Sequence, residues 1–205
     1  METVRLMDDP AAAVARAAAV LRAGGVVALP TETVYGLATA WGNAAGRRRI
    51  YELKHRAEDK PLQMLAADLA VAMAAGVAAD PRLARLAERF FPGPLTLVCR
   101  AVDGGSVGLR IPRHPFMRAL LRELGGGVAA TSANRSGEPP AGDAAAAVAG
   151  LAGEPDLLVD GGPVQDAQPS TVASLLEGGL RILRPGPVTE AELAAALAEA
   201  PGGEA

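Results

Sequence analysis

Short apolar runs of strand length recur along this chain and alternate with helical segments that carry their own start signals. Runs at 26–29, 61–66, 95–100, 107–111, 128–131, 157–159, 171–175 and 180–183 are too short for stable helices and are bounded by Gly, Pro and polar residues. Between them, Asp9-Pro10 opens a helix that runs to Arg22 and stops at Gly24-Gly25. Asn43 caps a helix toward Lys54, Asp68 and Asp80-Pro81 start two more, and 115–124 and 143–151 read as two further helices. Thr189 with Glu192 three residues on forms a capping box for the last one. This order predicts an α/β fold, a twisted sheet with helices against it. Aromatic residues make up only 3% of the chain, so the core has to be packed from Ala, Val and Leu. With no internal repeat and no linker before the polar tail at 201–205, residues 1–205 are expected to form one domain.

Charge and cysteine content exclude several classes. A net charge of −3 and a pI near 5.5 argue against a basic footprint spread over the whole surface, as a nonspecific nucleic-acid binder would have. The single Cys99 lies in an apolar run, where it reads as a small buried hydrophobe in a reducing compartment. Acidic Glu2, Asp8 and Asp9 and the lack of a long uncharged apolar stretch point to a soluble, cytoplasmic protein without a membrane partner. Only two lysines occur against eighteen arginines, and both fall within Lys54-His55-Arg56-Ala57-Glu58-Asp59-Lys60. A compact ammonium kept at two neighbouring sites in an arginine-using chain suits phosphate binding, and a solvated helix end suits it equally.

Familiar nucleotide and metal signatures are missing. No G-x-x-x-x-G-K-[ST] loop, no glycine fingerprint opening a helix after a strand, no CxxC and no HExxH occur. With His55 and His114 as the only histidines, a His-rich metal site is arithmetically difficult, and a Ser-His-Asp hydrolase is disfavoured because no G-x-S-x-G elbow is read in the chain. Polar segments directly follow the apolar runs instead, where strand ends commonly present ligand groups. They are Pro30-Thr31-Glu32-Thr33-Val34-Tyr35-Gly36-Leu37 and Thr131-Ser132-Ala133-Asn134-Arg135-Ser136-Gly137, and Ser170-Thr171 precedes a further apolar run. Arg110 sits inside a strand that is otherwise core, so it is either ion-paired within the protein or aimed at an anionic ligand, and the second reading is favoured.

These segments resemble the YrdC-like threonylcarbamoyl-adenylate synthases. The resemblance rests on 30–37, on Lys54-x-Arg56-x-x-x-Lys60-Pro61-Leu62 and on Phe91-Pro92-Gly93-Pro94-Leu95-Thr96. It continues through Gly108-Leu109-Arg110-Ile111-Pro112 with His114-Pro115, Ser132-x-Asn134-x-Ser136-Gly137, Ser170-Thr171-Val172 and Arg184-Pro185-Gly186, over about residues 11–187. It implies a twisted mixed β-sheet with surrounding helices and a concave basic cavity. It also implies a nucleotidyltransferase that joins L-threonine, bicarbonate or CO2 and ATP into threonylcarbamoyl-AMP and pyrophosphate, for tRNA threonylcarbamoyladenosine modification. By the same resemblance Lys54, Arg56, Lys60, Ser106, Ser132, Asn134 and Arg184 bind ATP, with Lys54 and Arg56 catalytic. Thr33, Arg110 and Ser170 bind threonine, and Thr31 and Thr131 are weaker candidates. Mg²⁺ enters with ATP, contacted by Ser132 and Asn134 rather than by a protein-only ligand set. The product passes to a tRNA threonylcarbamoyl transferase complex, with weak direct tRNA contact left open. The resemblance is to the short, single-domain form. Some members carry His where Leu65 stands, Asn where Lys60 stands and Asp where Ser174 stands. Two other readings accompany the synthase: an RNA-binding accessory protein of the same fold, and a paralogue that acts on another carbamate.

Overall fold

Six of the helices start at a side chain that accepts a backbone amide left over from the first turn. The computed structural model describes residues 1–165, 168–176 and 179–199. In chain order the elements are β1 (Glu2–Arg5), α1 (Pro10–Arg22), β2 (Val27–Leu29), β3 (Gly36–Ala40), α2 (Ala44–Lys54), β4 (Gln63–Leu65), α3 (Leu69–Ala74) and α4 (Pro81–Phe90). They continue as β5 (Leu95–Arg100), β6 (Ser106–Arg110), α5 (Pro115–Leu124), β7 (Val128–Ser132), α6 (Ala144–Ala149), β8 (Leu157–Asp160), β9 (Thr171–Ser174), β10 (Arg181–Arg184) and α7 (Glu190–Ala198). Asp9, Asn43, Asp68, Asp80 and Asp143 cap α1, α2, α3, α4 and α6, and the capping box at Thr189 and Glu192 is formed on α7. His114 precedes α5 without a side-chain capping bond, and Pro115 fills the first helical turn.

Ten strands form one mixed sheet in the order β1-β8-β2-β3-β7-β4-β6-β5-β9-β10. Pairing is parallel at β1/β8, β2/β8, β4/β6 and β5/β9, and antiparallel at the other five junctions. Two of these strands carry no signal in the sequence reading. In β1, Glu-Thr-Val-Arg is mostly exposed and becomes a strand because β8 offers a parallel edge beside it. In β3, Gly-Leu-Ala-Thr-Ala has weak intrinsic strand preference, yet it sits between β2 and β7. Close approach explains Gly36, where a Cβ would stand 3.1 Å from the Thr131 carbonyl oxygen.

Three apolar clusters flank the sheet. One packs α1 and α5 residues such as Leu21 and Leu120 against β2 and β7 residues such as Leu29 and Val128. Another places Ile50 and Leu53 of α2 and Ala147 of α6 against the opposite surface. The third joins α3, α4 and α7 to β5, β6 and β9 through Leu86, Leu193, Leu97, Leu109 and Ala173. Period-two alternation then decides the other side of those strands. Leu95, Leu97 and Cys99 of β5 face the helices, so Thr96, Val98 and Arg100 face away; in β6, Val107 and Leu109 face in and Ser106, Gly108 and Arg110 face away. That uncovered half of the sheet is where a cavity opens. Among the described residues no helix is long and apolar enough to cross a membrane.

Candidate active site

The cavity over β4, β6, β5 and β9 has a volume of about 300 Å³. Arg56, Arg110 and Arg184 line it together with Thr96, Ser132 and Ser170, and among the described residues no Asp or Glu lines it. Three cations with no lining carboxylate among the described residues make an anion site.

Arg110 is only 3% exposed, and its neighbours account for the cost of burying it. Nε donates to the Gly93 carbonyl at 3.2 Å and Nη1 donates to Thr33 Oγ1 at 2.8 Å. Nη2 lies 2.8 Å from Glu32 Oε1, but off the hydrogen-bonding direction, so that nitrogen has charge compensation without an acceptor. Arg110 is therefore both things the sequence left open, ion-paired inside the protein and on the cavity wall. The Thr31 hydroxyl donates to the Val34 carbonyl at 2.7 Å and lies 2.9 Å from Thr33 Oγ1. Since Thr31 has one proton and it is used on Val34, Thr33 donates to Thr31 while accepting from Arg110. Thr31 thus orders the turn that presents Thr33.

A second chain of hydrogen bonds crosses the cavity floor. Thr96 donates to Gln63 Oε1 at 2.9 Å, so the Ser170 hydroxyl, also 2.9 Å away, donates to Thr96. Arg184 Nη2 in turn donates to the Ser170 carbonyl at 2.8 Å and to its hydroxyl at 3.2 Å. Proton direction runs one way, from Arg184 through Ser170 and Thr96 to Gln63. A register shift in β10 brings Arg184 to this place. Ile182 pairs with Ala173 and Arg184 with Val172, so Leu183 bulges out and Arg184 returns to the cavity side. Burial, with a smaller contribution from Arg110, pulls the Arg184 guanidinium down from its ordinary pKa.

The segment that carries both lysines folds differently from the sequence reading. His55 closes α2 in the left-handed conformation at φ 48°, a strained position for a non-glycine residue. Lys54 and Arg56 on either side of it point to different places. Arg56 reaches the cavity and braces its loop by donating to the carbonyls of Lys60 (3.0 Å) and Pro61 (3.2 Å). Lys54 is 1% exposed, and its ammonium donates to the Ser132 and Asn134 carbonyls. Burial, then repulsion from Arg56, lowers it to about 8. Lys60 is exposed and meets the site through its main-chain carbonyl, which accepts from Arg56 and from the Tyr51 hydroxyl.

Of the remaining sequence candidates, Ser106, Thr131, Ser132 and Ser170 line the cavity. The Asn134 amide instead donates to the Arg135 and Glu138 carbonyls, turning its side chain into the following loop. Gly104-Gly105-Ser106-Val107-Gly108 matches the G-x-S-x-G spacing that the sequence reading passed over. Ser106 opens β6 after a hairpin turn rather than standing between a strand and a helix, so this is no nucleophile elbow. Gln63, Thr96 and Glu32 had no assigned role from sequence. Thr96, a hydroxyl between buried Leu95 and Leu97, carried the one usable signal, a polar residue at alternate spacing on a core strand.

Residues 19–186 match the Sua5/YciO/YrdC family model, described as "Telomere recombination". The chain belongs to the Sua5/YciO/YrdC family. It is 39% identical over 200 residues to threonylcarbamoyl-AMP synthase of Bacillus subtilis, covering 93% of this chain and 57% of that protein. The Mus musculus enzyme of the same name is 38% identical over 186 residues, covering 83% and 65%, and that of Pyrococcus abyssi 36% over 187 residues, covering 86% and 55%. This chain therefore spans less than two thirds of each of these relatives. Among solved structures of the Sua5/YciO/YrdC fold, P. abyssi Sua5 complexed with L-threonine superimposes with a TM-score of 0.85 at 33% identity, over 97% of this chain and 61% of that one. E. coli YciO matches in fold with a TM-score of 0.78 at 21% identity, over 91% and 95%.

Proposed function

We propose that this chain is a threonylcarbamoyl-AMP synthase. The observation that carries the reading is the cavity itself: three arginines, a line of hydroxyls and, among the described residues, no lining carboxylate, in a family whose P. abyssi Sua5 member is described in complex with L-threonine. Such a site can take an amino-acid carboxylate and a polyphosphate side by side.

In this reading Arg110, Thr33 and Ser170 hold threonine, with Arg110 nearest its carboxylate. Arg56, Arg184, Ser132 and Ser106 hold ATP, and the buried Lys54 braces the strand end that presents Ser132. The threonine amine adds to CO2, loses a proton to solvent and becomes a carbamate. A carbamate oxygen then forms a bond to the α-phosphorus as the bond to the bridging oxygen breaks, and pyrophosphate leaves with that electron pair. No side chain is acylated or phosphorylated, which accords with a cavity that offers no activated nucleophile. Side chains contribute position and charge neutralisation, the main sources of rate in phosphoryl transfer. The lining oxygens are hydroxyls and carbonyls, which fits a magnesium ion held chiefly by phosphate oxygens, with Ser132 as the side chain at hand. Bound there, Mg²⁺ would neutralise phosphate charge. The mixed anhydride product suits a downstream transferase that moves the threonylcarbamoyl group to a tRNA adenosine.

The test is incubation of the protein with ATP, Mg²⁺ and bicarbonate, with and without L-threonine, while pyrophosphate and threonylcarbamoyl-AMP are measured. Threonine-dependent formation of both in equal amounts is expected. Threonine-independent pyrophosphate release, or no product, would overturn the reading.

A further inference from the structure

Glu32 takes no part in the reaction as set out above, yet its carboxylate pairs with an arginine of the cavity wall. Its side chain is 13% exposed, and Oε1 lies 2.8 Å from Arg110 Nη2. The Arg113 amide donates to Oε1 at 2.9 Å and the His114 amide to Oε2 at 3.3 Å, which fixes the carboxylate behind Arg110 rather than in the cavity. Burial alone would raise the Glu32 carboxyl, but Arg110 and the Arg113 amide outweigh it and hold the group below the usual carboxylate range. It is charged at neutral pH. His114 beside it is pulled down by burial, against a smaller opposing pull from Glu32, and adds no compensating charge. The Arg113 side chain is exposed, where solvent and salt screen it.

Charge is therefore unevenly divided around the cavity. Arg110 and Glu32 sum to zero at one end. Arg56 and Arg184 have no carboxylate within ion-pairing distance among the described residues, and Asp59 acts on Arg56 only from beyond that distance, so both keep most of their positive charge, with Arg184 also reaching the Ser170 hydroxyl on the Arg110 side. Dianionic phosphate groups are drawn to uncompensated cations, whereas a zwitterionic amino acid carries no net charge and loses little by meeting a neutral pair. An arginine without its counter-charge would not make that distinction.

We propose that Glu32 is the specificity-determining counter-charge of this cavity: by cancelling Arg110 it reserves that end for a zwitterionic amino acid and leaves Arg56 and Arg184 to phosphate. The assignment of ends rests on the synthase reading; the charge asymmetry does not. Glu32 acts through Arg110 and is not a catalytic residue.

The experiment uses Glu32→Gln, close in shape and uncharged, and Glu32→Asp, charged and shorter. Inorganic phosphate is the probe, as an inhibitor of pyrophosphate formation and, separately, by calorimetric titration without other substrates. In the wild type, phosphate is expected to compete with ATP and not with L-threonine. In Glu32→Gln it competes with threonine as well, with an inhibition constant against threonine at least tenfold lower than in the wild type, and titration shows tighter phosphate binding. Glu32→Asp keeps the wild-type pattern. Unchanged phosphate competition in Glu32→Gln, or the same gain in Glu32→Asp, overturns the proposal. If the wild type makes no threonine-dependent product, the synthase reading fails while the titration still decides whether Glu32 excludes phosphate. Should Glu32→Gln not fold, the wild type alone decides: L-threonine must bind at least tenfold more tightly than 3-hydroxybutyrate, its net-anionic counterpart without the amine. Equal or better binding of 3-hydroxybutyrate overturns the charge argument.

Discussion

Replacing Lys54 by methionine should change how stability depends on pH. Lys54 is 1% exposed, and burial with repulsion from Arg56 lowers its pKa from 10.5 to about 8. A lysine with a lowered folded-state pKa holds its proton more weakly in the folded than in the unfolded chain. The resulting cost is fully present below pH ~8, shrinks as pH rises and is gone above about 10.5. At 1.36 kcal/mol per pKa unit the full cost is about 3 kcal/mol. Wild-type stability should thus rise relative to Lys54→Met by about 1.4 kcal/mol per pH unit above pH ~8, reaching roughly 2.5 kcal/mol by pH ~10. In melting temperature that is on the order of 5–10 °C for a chain of this size. Methionine also leaves the Ser132 and Asn134 carbonyls without their donor, a penalty of about 1–3 kcal/mol each that does not vary with pH. Urea unfolding of both proteins at several pH values from 7 to 10 separates the two effects, because only their difference as a function of pH reports the titration. A difference that stays constant over that range would refute the argument, since Lys54 would then titrate alike folded and unfolded.

Two further outcomes concern the cavity floor. Thr96→Val keeps the shape but removes the hydroxyl between Gln63 and Ser170; the KM for threonine should rise about tenfold or more, as expected for 1.4 kcal/mol or above, with the KM for ATP unaltered. A matching rise in both constants would count against it. Gly186→Ala places a Cβ about 2.7 Å from the Ser170 carbonyl carbon and 2.8 Å from the Pro169 oxygen. Because those are backbone atoms, the crowding should cost about 1–3 kcal/mol in urea unfolding, and a midpoint equal to the wild type would show that the β9 approach yields freely.

Where a signal is local, the sequence carried it. Asp9, Asn43, Asp68, Asp80, Asp143 and Thr189 name their helices because a cap bonds amides two or three residues away. Strands β5, β6 and β7 were legible because a short apolar run bounded by Gly, Pro or polar residues needs no knowledge of the partner strand, and the same kind of run placed Arg110 on a strand that had to justify its charge. Strands β1 and β3 escaped such a reading, since an exposed Glu-Thr-Val-Arg and a Gly-Leu-Ala-Thr-Ala segment become strands only beside β8 and between β2 and β7.

Function followed the same division. The sequence by itself determined the α/β class, the family motifs and the residue types gathered at strand ends. Only the tertiary structure decided that Arg56 turns into the cavity while Lys54 turns under it, and that a bulge carries Arg184 back to the cavity side. It also placed Glu32 behind Arg110 at 2.8 Å, across 78 residues of chain (110 − 32). Burial and counter-charge depend on what arrives from distant segments, and no pattern within a few residues of Lys54 or Glu32 encodes that arrival.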